Sequence, residues 1–234
     1  GATLLDDVAA AVRRYIVLPA HADTALTLWT MFTHAIDAVG VAPILLLKSA
    51  EKRCGKTTAM ALVQRLARRA LPASNITAPA LFRSIEAWAP TLLIDEADTF
   101  LKESPELNGI INSGHTRPTA FVIRTVGEDF EPRKFSTWGA KAIASIGGQS
   151  GTLHDRSIVV ELKRRLPGEH VEKLRHADNG LFEQLLRRIV RFVGDNIDPI
   201  RACRPELPAT LNDRAADNWE PLLAVAAVAG GHWP

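Results

Sequence analysis

The sequence predicts an α/β protein, a parallel sheet flanked by helices, with helices ahead of it and a helical lid behind it. Three observations lead there. Short continuous apolar runs alternate with stretches of helical period, the pattern of strands joined by helical crossovers. The first run is followed by Gly55-Lys56-Thr57 at the start of a helix. The second run ends in two acids, Asp95-Glu96.

Taken in order, residues 3–15 and 22–39 read as helices split by Val17-Leu18-Pro19-Ala20. The second carries Leu26, Trp29, Phe32, Thr33, Ile36 and Val39 at three-to-four spacing, a mostly apolar stripe. Pro43 precedes Ile44-Leu45-Leu46-Leu47, which is too short for a helix and reads as a buried parallel strand. A helix is expected from about Gly55 to Ala70, and a second strand at Leu92-Leu93-Ile94. Thr119 to Val126 alternates as a strand does, with Phe121 and Ile123 on one face and Val122 and Arg124 on the other. Gly127-Glu128-Asp129 supplies a turn, and Lys134 to Trp138 returns antiparallel. Ala142 to Ile146 and Ile158 to Leu162 complete the strands. From Pro167 onward only helices are expected, at 181–194 and 212–229; Phe182, Leu185, Leu186, Ile189, Phe192 and Val193 line the first. Three regions follow: a helical extension over 1–40, the α/β core over 41–166 and a lid over 167–234.

Composition narrows the function classes. The chain has 234 residues, 47% hydrophobic and 23% charged, with a net charge of +2. These are globular values that exclude wholesale disorder, and near-neutrality excludes a generally basic nucleic-acid binder. Two cysteines are too few for a disulfide framework, which makes a cytoplasmic setting the expectation. No stretch reaches the roughly 18 apolar residues of a membrane span. The chain begins Gly-Ala-Thr without an initiator Met and stops at His-Trp-Pro, as a piece of a longer protein would.

The loop after the first strand carries the chemistry. Against the Walker A pattern G-x-x-x-x-G-K-[ST], Gly55, Lys56 and Thr57 match, while Ala50 replaces the first Gly. The backbone amides of Ala50, Glu51, Lys52, Arg53, Cys54, Gly55, Lys56, Thr57 and Thr58 would form a concave anion site at a helix N-terminus. Lys56 would reach the β- and γ-phosphates of ATP, and Thr57 with Asp95 would hold Mg²⁺. Glu96 would polarise the attacking water as general base. A P-loop NTPase is thus expected, with ATP and Mg²⁺ as cofactors. The bland alternatives are a chance Gly-Lys-Thr at a helix start and an acidic cap after a strand; Asp98 reads as such a cap. Cys54, among Lys52, Arg53 and Lys56, reads as an oxidation or alkylation site rather than a catalyst.

The P-loop, the acid pair, a later apolar strand, Asp155-Arg156 and a helical lid, in that order, resemble an AAA+ ATPase. The chain resembles more closely an uncharacterised P-loop family of phages, plasmids and genomic islands, domain of unknown function 3631. That resemblance is carried by Leu28-Trp29 with Thr33-His34, Ser49 to Thr58, Asn75 to Arg83, Leu92 to Asp98, Asn112 to Arg117, Arg124 to Gly127, Phe135 to Trp138, Asp155 to Ile158 and Asp213 to Trp219. Superfamily-three helicases are a more distant likeness. The AAA+ resemblance implies Arg156 as a finger reaching the neighbouring subunit's γ-phosphate, and Arg214 as a sensor-two arginine within its own subunit. Where AAA+ proteins place a sensing Asn, this chain has Gly147, so Ser145 or Gln149 would substitute; His115, after Ser113-Gly114, either closes a turn or would reach the γ-phosphate or the partner subunit. In ring helicases a hairpin at this place points into the pore, which makes Arg117, Arg124, Arg133, Lys134 and Phe135 candidate contacts to single-stranded DNA. The competing reading is a solvated hairpin whose cations pair with Glu128, Asp129 and Glu131. Lys163-Arg164-Arg165 reads as a solvated strand end. The implied assembly is a homo-oligomeric ring, such as a hexamer, with ATP between subunits. The implied function is a DNA helicase or translocase of mobile-element replication. A nucleotide-switched assembly or defence ATPase without unwinding, and a P-loop phosphotransferase, stand beside it.

Overall fold

The apolar runs become the strands of one parallel sheet. The structure is a computed structural model that describes residues 1–74, 76–95, 104–147 and 151–234. In chain order the strands are β1 (Ile44–Ser49), β2 (Ala70–Pro72), β3 (Thr91–Ile94), then the separate pair β4 (Phe121–Val126) and β5 (Glu131–Ser136), and finally β6 (Lys141–Ile146) and β7 (Ser157–Glu161). The sheet order is β2-β3-β6-β1-β7, and each pairing within it is parallel. β1 therefore sits between β6 and β7, with Leu46 opposite Ile143 on one side and Val159 on the other.

The unbroken hydrophobicity of β1 follows from cover on both faces. Leu45 and Leu47 belong to a core with helices α1 (Ala2–Tyr15), α2 (Ala22–His34) and α3 (Lys56–Leu66). Ile44 and Leu46 belong to the opposite core, under α4 (Ala78–Trp88) and α5 (Pro105–Ser113). A short helix, α6 (Gly151–Asp155), precedes β7. The C-terminal helices α7 (Asn179–Asp195), α8 (Ile197–Ala202) and α9 (Asp213–Ala229) send Phe182, Ile189, Ile200 and Leu222 into the first core. Trp29 fixes α2 to the approach of β1, its indole N–H donating to Pro43 O at 2.9 Å. No helix among the described residues is long and apolar enough to cross a membrane.

Several boundaries differ from the sequence expectation, each for a local reason. The helix expected over 22–39 stops at His34, because Ala35 N–H bonds to Phe32 O, tightening the last turn, and a 3₁₀ turn follows at Ile36–Ala38. The helix expected to reach Ala70 stops at Leu66, where Ala67 turns extended, and Ala70 opens edge strand β2. The return strand of the hairpin is Glu131–Ser136, not Lys134 to Trp138. Helices α4 and α5 are additions to the sequence reading. Thr77 caps α4 by accepting from Ala80 N–H, and Ser104 caps α5 by accepting from Leu107 N–H. Each has a proline in its first turn, a position that needs no backbone donor.

The β4–β5 hairpin pairs Arg124 with Arg133 and Val126 with Glu131. Val122 and Val126 pack toward the core, while Phe121 and Ile123 are exposed. At the turn Phe130 is 73% exposed with φ +54°. Phe135 corrects the sequence reading: it is only 4% exposed, its ring 4.7 Å from that of Phe82, so it packs the core and offers no face to a base. Phe135→Ala is expected to cost about 3–5 kcal/mol in urea unfolding followed by circular dichroism. Phe130→Ala is expected to cost less than about 0.5 kcal/mol. Equal losses at the two positions would contradict this division of the hairpin.

Candidate functional site

Ligands of open α/β sheets bind outside the carboxyl ends of the strands, where crossovers leave in opposite directions. Here the chain from β1 crosses past β6 and β3 to the β2 edge, and the chain from β6 crosses β1 to reach β7. At the carboxyl end of β1 the loop after Ser49 turns back into α3. Arg53 (φ +66°) and Gly55 (φ +88°) are both left-handed, and a Cβ on Gly55 would come 3.2 Å from Ile16 Cδ1. This alternation turns successive amides toward one concavity. A cleft of about 680 Å³ opens there, lined by Lys52, Arg53, Cys54, Gly55, Lys56, Thr57 and Thr58 from the loop and α3, with Asp95, Ala144 and Ile146.

The polar groups converge on that cleft. Lys56 Nζ donates to Ser49 Oγ and to Glu51 O at 3.5 Å, and Ser49 Oγ donates to Glu51 O at 2.6 Å. Thr57 Oγ1 donates to Asp95 Oδ2 at 3.5 Å. A hydroxyl and a carboxylate side by side are hard oxygen donors suited to Mg²⁺. Among the described residues no group of three His, Cys, Asp or Glu could hold a metal alone. A cation here would share its shell with water and ligand oxygens, as Mg²⁺ commonly does. Ser49 is a functional candidate the sequence reading placed only within a motif; its role as the anchor of Lys56 follows from the loop's return to the strand.

Not every expected residue joins the cleft. Ala50 and Glu51 are exposed and do not line it; the Glu51 carboxylate lies 4.0 Å from Arg164. Cys54 is buried, with its thiol 3.7 Å from Lys52 O, so it is not the open reactive site its neighbours suggest. Ser145 is fully buried, and strand alternation puts it on the other face of β6 from Ala144 and Ile146. Glu96, Asp98 and Gln149 lie outside the described residues.

A second polar cluster occupies the opposite, amino end of the sheet. His115 accepts Ala42 N–H on its carbonyl at 2.8 Å and is 2% exposed. Its Nε2 meets Asn218 Oδ1 at 2.8 Å and its Nδ1 meets Thr116 Oγ1 at 3.0 Å. His115 is therefore a buried connector at the end of the sheet opposite the cleft. Burial chiefly lowers its pKa below the usual 6.5; the hydrogen bond it donates to Asn218 Oδ1 opposes this, and the charges of Arg156, Arg214 and Lys141 add to it. Arg156 O accepts Ile44 N–H at 2.9 Å, which puts Arg156 at the start of β1, about 16 Å along the strand from Ser49. Arg214 lies one turn before Asn218 on α9 and near enough to act on His115. It lies with Arg156 near His115, and it does not line the cleft where the resemblance would place it. Lys141 is fully buried, its Nζ donating to Gly139 O (2.8 Å), Thr137 O (3.1 Å) and Gly114 O (3.4 Å). A Cβ on Gly114 would come 2.3 Å from that nitrogen.

The hairpin cations pair with helices rather than with Glu128, Asp129 or Glu131. Arg124 holds Glu106 of α5 at 2.7 Å, and Arg133 holds Glu86 of α4 at 3.0 Å. Lys134 Nζ sits 4.8 Å from the centre of the Phe121 ring. Arg117 donates to Asp37 O at 3.0 Å and stacks over Trp138, near the base of the hairpin. Lys163, Arg164 and Arg165 are exposed.

Residues 161–234 match the family model described as "Protein of unknown function (DUF3631)". The chain is also 40% identical over 74 residues to the "Uncharacterized 28.9 kDa protein in xis 5'region" of Saccharopolyspora erythraea. That match covers 31% of this chain and 27% of the relative, so the chain spans about a quarter of the length of the curated relative it matches.

The buried ammonium has a measurable signature. Burial lowers the Lys141 pKa from 10.5 to about 7. Between these values the unfolded chain holds a proton that the folded chain has released, so stability rises with pH across the window and loses this slope below about 7. Lys141→Met orphans carbonyls and is expected to cost about 1–3 kcal/mol at high pH, while flattening the slope of unfolding midpoint against pH. An unchanged slope would assign it to another group.

Proposed function

We propose that this chain is a P-loop ATPase of the AAA+ type, which binds Mg²⁺-ATP in the cleft at the carboxyl end of β1 and hydrolyses it. The observation that carries this reading is the convergence of Lys56, Thr57 and Asp95 on one cleft with the left-handed loop through Arg53 and Gly55. Loop amides and the start of α3 would receive the phosphates. Lys56 would exchange Ser49 Oγ and Glu51 O for phosphate oxygens. Thr57 and Asp95 would hold Mg²⁺, which supplies neutralisation of charge on the phosphate oxygens. Glu96, next to Asp95 in sequence, would take a proton from water as the water oxygen bonds to the γ-phosphorus. The bond to the bridging oxygen breaks, and ADP and phosphate leave.

The same reading extends to a homo-oligomeric ring acting on single-stranded DNA in mobile-element replication, an extension that rests on the family resemblance. The hairpin supports it chemically. Exposed Phe121 and Ile123 stand beside Lys134, Phe130 is exposed at the turn, and aromatic faces with a cation are what a stacked, charged single strand meets. Phe130 takes the role expected of Phe135. A nucleotide-switched assembly without unwinding draws on a different observation: Arg124 and Arg133 are already paired with carboxylates, leaving an apolar hairpin face.

Lys56→Ala is expected to lower ATP turnover about a hundredfold or more, and Glu96→Gln to retain ATP binding while losing turnover. Full turnover in Lys56→Ala would refute the site. Single-stranded DNA is expected to stimulate turnover in the wild type and not in Phe130→Ala with Lys134→Ala. Turnover indifferent to DNA would leave the switch in place of the motor.

A further inference from the structure

The parallel sheet has two edges, β2 and β7, and the chain treats them differently. In an extended strand the N–H and C=O of one residue point to one side, and those of the next residue point to the other. At β2, Arg69 O accepts Thr91 N–H at 3.2 Å and Ala73 N–H donates to Leu93 O at 2.8 Å. Residues 69, 71 and 73 therefore face β3, and residues 70 and 72 face outward. Position 72 is a proline, which has no N–H to offer. An edge this short, with proline at an outward position, is closed to a further strand.

β7 carries no such block. Arg156 O accepts Ile44 N–H at 2.9 Å and Leu162 N–H donates to Lys48 O at 2.8 Å, so the even positions from Arg156 to Leu162 face β1. Ser157, Val159 and Glu161 turn their backbone groups away from the sheet. Among the described residues nothing hydrogen-bonds to the N–H or C=O of Val159 or Glu161. Val159 is half-buried and Glu161 exposed. The strand holds no proline, and its apolar side chains are anchored: Ile158 and Val160 in the first core, Val159 against the second. Lys163, Arg164 and Arg165 follow it, all exposed. Arg164 has the Glu51 carboxylate at 4.0 Å, while Lys163 and Arg165 make no ion pair among the described residues.

These two features define an occupant. Open donors and acceptors spaced along a strand are satisfied by another extended backbone, whatever its side chains. The three cations beyond the strand select that segment's charge. We infer that β7 is a docking edge, at which an extended segment of a partner protein, acidic at one end, adds as a further strand of the sheet. The antiparallel ladder is the more stable one per residue, and it makes the acidic end the segment's N-terminal end, opposite Lys163-Arg164-Arg165. β-branched residues follow it, opposite Val159. The inference goes beyond the ATPase reading and does not depend on it.

The test uses the full chain and two labelled peptides of alternating Val and Thr, one opened by a run of Asp and Glu and the other by a run of Lys. In fluorescence anisotropy the acidic peptide is expected to bind at least about tenfold more tightly than the lysine peptide, with a smaller difference at high salt. Val159→Pro removes an outward N–H and no bond to β1, so it is expected to keep the unfolding midpoint and weaken binding about tenfold. Lys163→Glu with Arg165→Glu is expected to weaken it by about as much. N-methylation of the acidic peptide's ladder amides is expected to abolish binding; it leaves the protein untouched, so it decides the matter even where Val159→Pro unfolds the chain. On binding, amide hydrogen exchange is expected to slow at Val159 and Glu161 and not at Ile158 and Val160, which already face β1. No binding of the acidic peptide, equal binding of the two peptides, or binding that survives N-methylation overturns the inference. So does self-association of the peptide-free chain that Val159→Pro abolishes, which would assign the edge to a second copy. ATP turnover enters none of these readouts, so their failure leaves the ATPase reading standing.

Discussion

Strand β1 is the constraint on which the structure depends. It is covered on both faces and flanked by strands on both sides, so its backbone polar groups are paired within the sheet and its side chains from Ile44 to Leu47 are apolar. Its direction then decides what lies at each end. The carboxyl end releases the chain into the loop that turns at Arg53 and Gly55, and Ser49, the last strand residue, holds Lys56. The amino end receives the hydrogen bond between Ile44 and Arg156 and, just upstream, that between Ala42 and His115.

The two ends solve opposite electrostatic problems. At the carboxyl end the cations of Lys52, Arg53 and Lys56 line a cleft together with the oxygens of Thr57 and Asp95. At the amino end the polar groups are satisfied internally: His115 by Asn218, and Lys141 by three backbone carbonyls. Burial without partners would be far costlier for such groups. At the rim of that end Arg156 is half-buried and Arg214 exposed, and among the described residues neither makes an ion pair.

Much of the fold was legible because its strands are continuous apolar runs and its lid helices have strong helical period. Edge strand β2 has three residues and only Leu71 as a large apolar side chain, too little pattern to read. Helices α4 and α5 are announced by caps, Thr77 and Ser104, that a hydrophobic scan passes over. In the candidate site, Lys56, Thr57 and Asp95 were readable from spacing, since a strand, a loop and a helix leave little freedom. Arg214 and His115 were not. Their motif order suggests proximity to phosphate, but where a helix starts in space depends on which end of the sheet it meets, and Asn218 decides that from 103 positions away. Phe135 and Phe130 differ only in register: one residue's place on the pleat sends a ring inward, and the turn sends the other out.

Asn218 also sets an uneven tolerance to change across α9. Its amide must donate to a carbonyl before β7 and accept from an imidazole after α5, the second bond being fully buried. Aspartate there would set a carboxylate against the Asp155 carbonyl and strand that oxygen without a donor, and leucine would strand both partners. Glutamine carries the same groups one methylene too far for a close-packed setting. Polar drift along this helix is therefore free at its solvent face and nearly closed at Asn218, which an engineer grafting the C-terminal helices onto another core would have to carry across together with His115.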